Sequence, residues 1–334
     1  MLKPNNNLLV IRLSAMGDVA MTIPVLRALI QNYPDLKITV LTRSFFAPFF
    51  RDLPNTTVFA AEVKGKHKGI LGLYKLAHEL NENKFYGIAD LHNVLRSKIL
   101  INFIKCNHLS VIDKGRSEKK LLTSGERFSA LKTTHQRYAD VFNALGYKID
   151  LSKPSFPGPS VLNNELQRLL GLSSKKSIGI APIAAYEGKM YPLDLMKQVV
   201  EVLSQDYNVL LFGGAEDVEV LDTFNNTTNI AGKLELDEEL DVISNLDLMI
   251  SMDSGNAHVA AMLGIKVVTI WGVTHPYAGF APFNQPQDYT LLANRKKFPL
   301  IPTSIYGNKY PVDYKEAAGS IPPKFIIEKV RSII

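Results

Sequence analysis

The feature that most constrains the fold is a repeated alternation of short apolar, β-branched runs with longer segments of helical periodicity. Leu8–Leu13 is typical of a buried strand, and Val19–Asn32 after it carries apolar residues at helical spacing. Strands separated by helices predict βαβ units and a parallel sheet. The alternation stops at a Pro- and Ser-rich stretch over 152–160 and then begins again, which predicts two doubly wound α/β domains in the 334 residues.

The individual elements follow from the same patterns. The other predicted strands are Lys37–Leu41, Val58–Ala60, Gly87–Leu91, Leu109–Ile112, Ser177–Ala181, Asn208–Phe212, Leu248–Met252 and Lys266–Trp271. The other predicted helices are Gly69–Asn83, Leu95–Ile104, Thr134–Leu145, Leu193–Gln205, Asp217–Phe224, Asp237–Asn245, Asn256–Leu263 and Pro322–Ile334.

The predicted domains are 1–155 and 156–321, followed by a last helix over 322–334 that can pack on either domain, including back onto the first. Ligands of such sheets bind at the carboxyl ends of the strands. The cleft between two facing domains is therefore the expected site.

The distribution of charge is uneven. The net charge is +6, but residues 1–155 carry +11 and residues 156–334 carry −5, which favours an anionic partner for the first half. Two basic clusters stand out, and either could instead be a solvated loop face. They are Lys64, Lys66, His67 and Lys68, and Lys114, Arg116, Lys119 and Lys120.

The sequence predicts a cytoplasmic protein. Cys106 is the single cysteine, which favours a reducing compartment. Arg12 and Asp18 interrupt the first apolar run, so we expect no signal peptide. We also expect no membrane span, because no stretch reaches the roughly 18 uncharged apolar residues that a span needs.

Two turns that follow strands carry candidate chemistry. Asp18 follows the first strand, where a carboxylate could act as a general base or simply cap the next helix. Asp253 and Ser254-Gly255-Asn256-Ala257-His258 follow the Leu248–Met252 strand, where backbone N–H groups at a helix start can bind a phosphate. The alternative is again a local helix cap.

Two further loops suit a nucleotide. Lys189 is the only cation of its loop and could contact a phosphate oxygen, unless it is a solvated surface lysine. Gly213 permits a tight turn after a strand, and Glu216 could accept hydrogen bonds from a ribose or merely favour the next helix. The sequence lacks a Walker motif, a strand-following G-x-G-x-x-G, a G-x-S-x-G elbow and zinc-type ligand spacing.

These residues carry a family resemblance. Ile11-Arg12-Leu13-Ser14-Ala15-Met16-Gly17-Asp18-Val19 with Pro24, and Asp253–Ala261 with Gly264 and Trp271–Pro276, resemble the two signatures of the family-9 glycosyltransferases, the lipopolysaccharide heptosyltransferases. The resemblance implies a GT-B fold, with two Rossmann-like domains facing across a cleft. It also implies inverting, metal-independent transfer of heptose from ADP-heptose to the Kdo/heptose inner core, at the cytoplasmic face of the inner membrane, with no cofactor.

The resemblance also implies roles for individual residues. Asp18 matches the base, Lys189 the cation on the diphosphate, and Glu216 an acid near the ribose. Gly213 and Leu234 fall on the nucleoside side. The donor loop matches Asp253, Ser254, Gly255, Asn256 and His258. The acceptor side would comprise Ser14, Met16, Gly17, Lys64, Lys66, Lys68, Arg116 and Lys120, beside a peripheral, anionic membrane surface.

The sequence departs from the family at two places. Ala184 and Ala185 stand where some members have hydroxyl residues, and 298–314 has no cysteine where a subset of the family places them. The alternatives are a GT-B transferase with another nucleotide sugar and a non-catalytic binding protein. A nucleic-acid-binding protein is disfavoured because the basic clusters lack interleaved aromatic residues.

Overall fold

The computed structural model describes residues 6–170 and 175–334. Contacts divide the chain into two units, of which the first is Met1–Lys114 with Thr134–Ser155 and the second is Gly115–Thr133 with Phe156–Ile334. Each unit is built on one parallel sheet.

The first unit contains a five-stranded sheet. The strands are β1 (Asn7–Ile11), β2 (Lys37–Thr42), β3 (Thr56–Ala60), β4 (Gly87–Asp90) and β5 (His108–Val111). Their order in the sheet is β3-β2-β1-β4-β5. Strand β1 suits the central position because its apolar residues are covered on both faces, and Leu8, Leu9, Val10 and Ile11 have no exposed surface. The helices are α1 (Met16–Ala20), α2 (Thr22–Asn32), α3 (Gly69–Asn81), α4 (Leu95–Ile101) and α6 (Thr134–Ala144), with α5 (Arg116–Thr123) in the second unit.

The second unit contains a six-stranded sheet. Its strands are β6 (Ser177–Ala181), β7 (Asn208–Leu211), β8 (Thr228–Asn229), β9 (Leu248–Met252), β10 (Val267–Trp271) and β11 (Thr290–Leu292). Their order in the sheet is β11-β10-β9-β6-β7-β8. Its other helices are α7 (Asn164–Leu170), α8 (Leu193–Asp206), α9 (Val218–Leu221), α10 (Leu236–Ser244), α11 (Gly255–Met262) and α12 (Pro323–Ile333). The prediction of two parallel-sheet α/β domains is thus confirmed.

The first predicted helix is divided in the structure. Helix α1 ends at Ala20 and α2 begins at Thr22, which places Pro24 in the first turn of α2. Proline has no N–H group and its ring crowds the carbonyl four residues earlier, so Pro24 is tolerated at a helix start but not inside a continuous helix.

The segment 115–133 departs from the predicted domain boundaries, because it belongs to the second unit. Leu122 and Leu131 form a buried cluster with Ala278, and Leu131 N–H donates to the carbonyl of Tyr277 (2.9 Å). Arg116 and Lys120 therefore lie outside the first unit, to which the sequence prediction assigned them. With this segment reassigned, the first unit carries +8 and the second −2.

The last helix packs on the second unit. Ile326 and Val330 are fully buried in the same core cluster as Met196 and Val199 of α8. Packing of 322–334 back onto the first domain is therefore wrong, because the apolar face of α12 is buried against α8.

Candidate functional site

The first candidate site lies where β1 and its neighbour β4 end. Asp18 is in α1, directly after the turn that follows β1, and its side chain is partly exposed. Arg12 Nη2 contacts Asp18 Oδ2 at 2.5 Å, and the backbone N–H of Ala15 donates to the same oxygen (3.3 Å). Within residues 6–170 and 175–334, no hydrogen-bond or ion-pair partner is found for Asp18 Oδ1. One carboxylate oxygen is thus fixed, and the other is available to accept a proton.

Arg12 is itself held from three sides. It is buried, its Nη1 donates to the carbonyl of Leu91 (2.6 Å), and its guanidinium lies 5.9 Å from the ring centroid of Tyr138. The Tyr138 hydroxyl donates to the backbone carbonyl of Asp18 (3.2 Å). These contacts couple the orientation of the Asp18 carboxylate to β4 and α6.

His92 is the second buried titratable group at this sheet edge. Its Nδ1 accepts from the backbone N–H of Leu13 (3.3 Å). The pKa of His92 is lowered to about 3, mainly by burial and next by the positive charge of Arg12. The imidazole is therefore neutral at physiological pH and acts as an acceptor that fixes the turn after β1.

The basic loop after β3 is folded onto the start of α3. His67 is fully buried, its Nδ1 accepts from the N–H of Glu62 (3.0 Å), and its Nε2 lies 3.3 Å from Glu79. His67 is thus a structural residue and not a surface cation. Lys66 lies within 3.6 Å of Glu62 and 3.4 Å of Glu79, whereas Lys64 and Lys68 are exposed.

The second candidate site lies along the edge where adjacent strands of the second sheet end. Loops after β9, β6, β7 and β8, which are neighbours in that order, carry the predicted donor residues. In that order they are Asp253, Lys189, Glu216 and Leu234. The topology therefore places these residues on the same edge of one sheet.

A buried ion pair joins two of these loops. Lys189 Nζ lies 2.8 Å from Asp253 Oδ2, and both side chains are largely buried, with 16% and 7% of their surface exposed. Thr274, after β10, donates its hydroxyl to the same carboxylate oxygen (2.9 Å). Lys189 is thus not the solvated surface lysine that was its alternative interpretation.

A glycine turn fixes the stem of Lys189. Gly307 has a φ of +75°, and a Cβ at this position would lie 2.6 Å from Lys189 Cγ. Ser304 holds the turn, since its hydroxyl accepts from the N–H of Gly307 (3.1 Å). On the other side, Gly188 leaves no room for a Cβ against the carbonyl of Gly307 (2.7 Å). The ammonium group is therefore positioned by packing along its aliphatic chain.

The start of α11 is open to a ligand. Ser254 is its N-cap residue, but the Ser254 hydroxyl contacts Ser251 Oγ (3.1 Å) and makes no capping hydrogen bond. Gly255 and Asn256 in the first turn are partly exposed, and His258 is buried. Within the described ranges the first N–H groups of this turn have no hydrogen-bond acceptor, and they directly follow Asp253, the partner of Lys189. Such a helix start suits an anion.

The remaining predicted residues are more exposed. The Glu216 carboxylate folds back over Gly214, where a Cβ would lie 2.5 Å from Glu216 Oε2. Leu234 is half-buried, and Gly213 packs against Leu221 and Asp217. Ser14, Met16 and Gly17 are partly exposed beside Asp18.

Three residues of these sites have no role among the predictions from the sequence. Arg12 interrupts an apolar run and belongs to the first family-like signature, but it has no predicted role, although a charge inside a buried strand-like segment signals a paired or functional group. His92 gave no sequence signal. Thr274 lay within the family-like Trp271–Pro276 stretch but received no role.

Comparisons with known proteins decide the family. The model of "Glycosyltransferase family 9 (heptosyltransferase)" matches residues 73–301. The chain belongs to glycosyltransferase family 9. It is therefore a glycosyltransferase of the heptosyltransferase type, and the family resemblance noted in the sequence is confirmed.

Individual relatives agree with this assignment. The chain is similar to the lipopolysaccharide core heptosyltransferase OpsX of Haemophilus influenzae, with 25% identity over 83% of this chain and 82% of the relative. Its fold matches that of the E. coli heptosyltransferase WaaC, solved with ADP, at a TM-score of 0.70 and 14% identity. The match covers 98% of this chain and 100% of WaaC. This likeness confirms the GT-B fold.

A more distant structure has a similar fold. TibC from enterotoxigenic E. coli, described as an iron-containing dodecameric glycosyltransferase, matches at a TM-score of 0.56 and 12% identity, over 99% of this chain and 77% of TibC. Within residues 6–170 and 175–334 of this family member, no group of three or more His, Cys, Asp or Glu side chains could hold a metal ion. The described helices also include none long and apolar enough to cross a membrane.

Proposed function

We propose that this enzyme transfers heptose, with inversion, from ADP-heptose to the Kdo/heptose inner core of lipopolysaccharide. The observation that carries the proposal is the buried Lys189–Asp253 pair beside the open start of α11. The relative OpsX is named a lipopolysaccharide core heptosyltransferase, and WaaC was solved with ADP, which supports the donor and the acceptor class.

The second unit binds the donor in this proposal. As the bond to the sugar breaks, ADP gains negative charge. Hydrogen-bond donors that are fixed on its diphosphate therefore stabilise the transition state more than the ground state. Lys189 and the backbone N–H groups of Ser254, Gly255 and Asn256 supply these donors. Asp253 keeps Lys189 in place and can accept a hydroxyl of the donor with its second oxygen.

The nucleoside lies further along the same sheet edge. Glu216 and the Gly213 turn follow β7, and Leu234 follows β8, so a nucleotide whose diphosphate meets Lys189 runs toward β8. Ala184 and Ala185 have no hydroxyl to offer the diphosphate. Lys189 and the first N–H groups of α11 therefore offset more of the negative charge of the diphosphate than in relatives with hydroxyl residues at these positions.

The first unit supplies the base. Asp18 Oδ1 takes the proton of the acceptor hydroxyl, while Arg12 and Ala15 hold Oδ2. A base on the attacking hydroxyl suits a single displacement, which inverts the anomeric carbon. The exposed Lys64 and Lys68 follow β3 and attract the anionic acceptor, whereas the charge of Lys66 between them is shared with Glu62 and Glu79. Ser14, Met16 and Gly17 line the turn beside Asp18.

Lysine and helix amides replace a metal ion in this scheme. The expected rate is therefore unchanged by EDTA, and a chelator-sensitive rate that iron or magnesium restores would contradict metal independence. An acceptor of this class supports a location at the cytoplasmic face of the inner membrane.

Two substitutions separate the roles of the units. Asp18→Asn should lower kcat by about 10²–10⁴-fold and leave the ADP dissociation constant unchanged. Lys189→Met should weaken ADP binding in calorimetry and lower the rate as well. The matched controls are Asp52→Asn and Lys315→Met, which break exposed ion pairs with Arg51 and Glu187 and should change neither quantity.

The nucleotide itself is tested by a panel. ADP should raise the melting temperature more than UDP or GDP does. A larger response to UDP or GDP would favour a transferase of another nucleotide sugar, and binding without turnover would favour a non-catalytic binding protein.

A further inference from the structure

Helix α3 presents an apolar group to solvent. Ile70, Leu71 and Tyr74 are 63%, 86% and 59% exposed, and their spacing of one and three residues places them on one side of the helix. The opposite side, with Leu73, Leu76 and Leu80, is buried in the core of the first unit. The start of α3 is therefore apolar on both sides, which a solvent-facing surface helix does not require.

Cations surround this apolar group. Lys64 and Lys68 precede the helix and Lys75 lies one residue beyond Tyr74, and all three are exposed. In the part of the chain that the structure describes, none of the three has an acidic partner, unlike Lys66, which contacts Glu62 and Glu79. We call Ile70, Leu71, Tyr74, Lys64, Lys68 and Lys75 the α3 surface.

The loop that carries the lysines is fixed to the helix. A Cβ on Gly72 would lie 2.4 Å from the carbonyl carbon of His67, so the loop backbone rests directly on α3. The buried His67 ties the loop to Glu62 and Glu79. The cations and the apolar side chains are thus held side by side in the folded chain.

We propose that the α3 surface docks on an anionic lipid bilayer, with Ile70, Leu71 and Tyr74 in the interfacial layer and the lysines on the lipid phosphates. Apolar side chains bordered by unpaired lysines complement a surface that is apolar below and anionic above. Lysine stems can also lie along the apolar surface while their ammonium groups reach the phosphates. The proposal extends the proposed function, since a membrane-anchored acceptor must be met at the membrane.

Vesicle co-sedimentation with the full chain tests the proposal. The protein should bind vesicles of phosphatidylglycerol and phosphatidylethanolamine and should not bind phosphatidylcholine vesicles. The double variant Ile70→Ser, Leu71→Ser should lose about tenfold or more in partition coefficient, because two apolar side chains no longer leave water. Lys75→Glu should lose about fivefold or more, from the attraction of one cation near the surface.

Matched controls lie elsewhere on the chain. Val161→Ser changes an apolar side chain that is 96% exposed but outside the α3 surface, and Lys37→Glu changes an exposed lysine at the start of β2. Both should bind like the wild type, and circular dichroism should show that all four variants stay folded. The proposal would be overturned if the wild type did not bind vesicles or if the Ile70/Leu71 variant bound them equally well. It would also be overturned if the wild type self-associated and that variant did not, because the α3 surface would then bind a second copy of the chain. None of these readouts needs turnover, so the proposal and the proposed function can fail separately.

Discussion

Replacing Gly307 by alanine tests whether the turn over 304–309 positions Lys189. The new Cβ would lie 2.6 Å from Lys189 Cγ, 3.3 Å from Cδ and 3.2 Å from Cε. Carbon atoms pack at about 3.5–4.0 Å, so the stem must move by roughly 1 Å. Because the crowded atom is Cγ, near the backbone, the ammonium group moves with it and its 2.8 Å contact with Asp253 is lost.

Gly125 provides the matched control. Its φ of +78° is close to the +75° of Gly307, but nothing lies within 4 Å of a Cβ there. Alanine in this conformation costs about 1–2 kcal/mol of backbone strain at either position. Gly307→Ala should lose more stability than Gly125→Ala in thermal unfolding, because the crowded Lys189 stem and the lost ion pair add to that strain. Only Gly307→Ala also displaces Lys189.

The two variants should therefore separate in donor kinetics. A 1 Å misplacement of a positioning group can cost about 10²-fold, so kcat/KM for ADP-heptose should fall by roughly 10–100-fold in Gly307→Ala. It should fall by less than about threefold in Gly125→Ala, where only backbone strain is added. In calorimetry, Gly307→Ala should also weaken ADP binding more than Gly125→Ala does. Equal kinetics in the two variants would refute the positioning of Lys189 by this turn.

Two further predictions concern stability. Burial raises the pKa of Glu239 to about 7, so the folded state keeps a proton that the unfolded state releases above its pKa of 4.5. The Glu239 side chain therefore destabilises the folded state progressively less as pH falls below 7, and the free energy of unfolding falls as pH rises from 4.5 through about 7. Glu239→Gln should raise the free energy of unfolding by about 1–3 kcal/mol above pH 7 but not below 4.5. A gain of equal size at both pH values would count against the buried, protonated carboxyl. Ile326→Ala, at a fully buried position of α12, should cost about 2–5 kcal/mol in urea unfolding, while Phe325→Ala, 56% exposed, should cost far less. If both are neutral, α12 is not part of the core of the second unit.

Local patterns predicted most of the fold because both sheets are parallel and buried. The strands Ser177–Ala181 and Leu248–Met252 have the predicted bounds, since runs buried on both faces are apolar throughout. The order of strands in each sheet also explains why residues found separately in the sequence share one edge. Lys189 and Asp253 follow the neighbouring strands β6 and β9 and form an ion pair, and the binding of a phosphate by this site stays a prediction.

The sequence could not predict contacts between distant segments. Leu122 and Leu131 join the second unit through Ala278, which is more than a hundred residues away, and no local pattern marks that choice. The pairing of Arg12 with Asp18 was hidden for a different reason. Arg12 lies at the end of an apolar run, and no helical or strand periodicity in the sequence links it to Asp18.

The most direct test of the central claim is mass spectrometry of the products formed from ADP-heptose and a set of truncated lipopolysaccharide core acceptors. The wild-type enzyme should add one heptose to an inner-core acceptor and release ADP in equal amount, with EDTA present. Asp18→Asn should bind ADP with the wild-type affinity and form little product. Transfer from a different nucleotide sugar in preference to ADP-heptose, or full product formation by Asp18→Asn, would contradict the account.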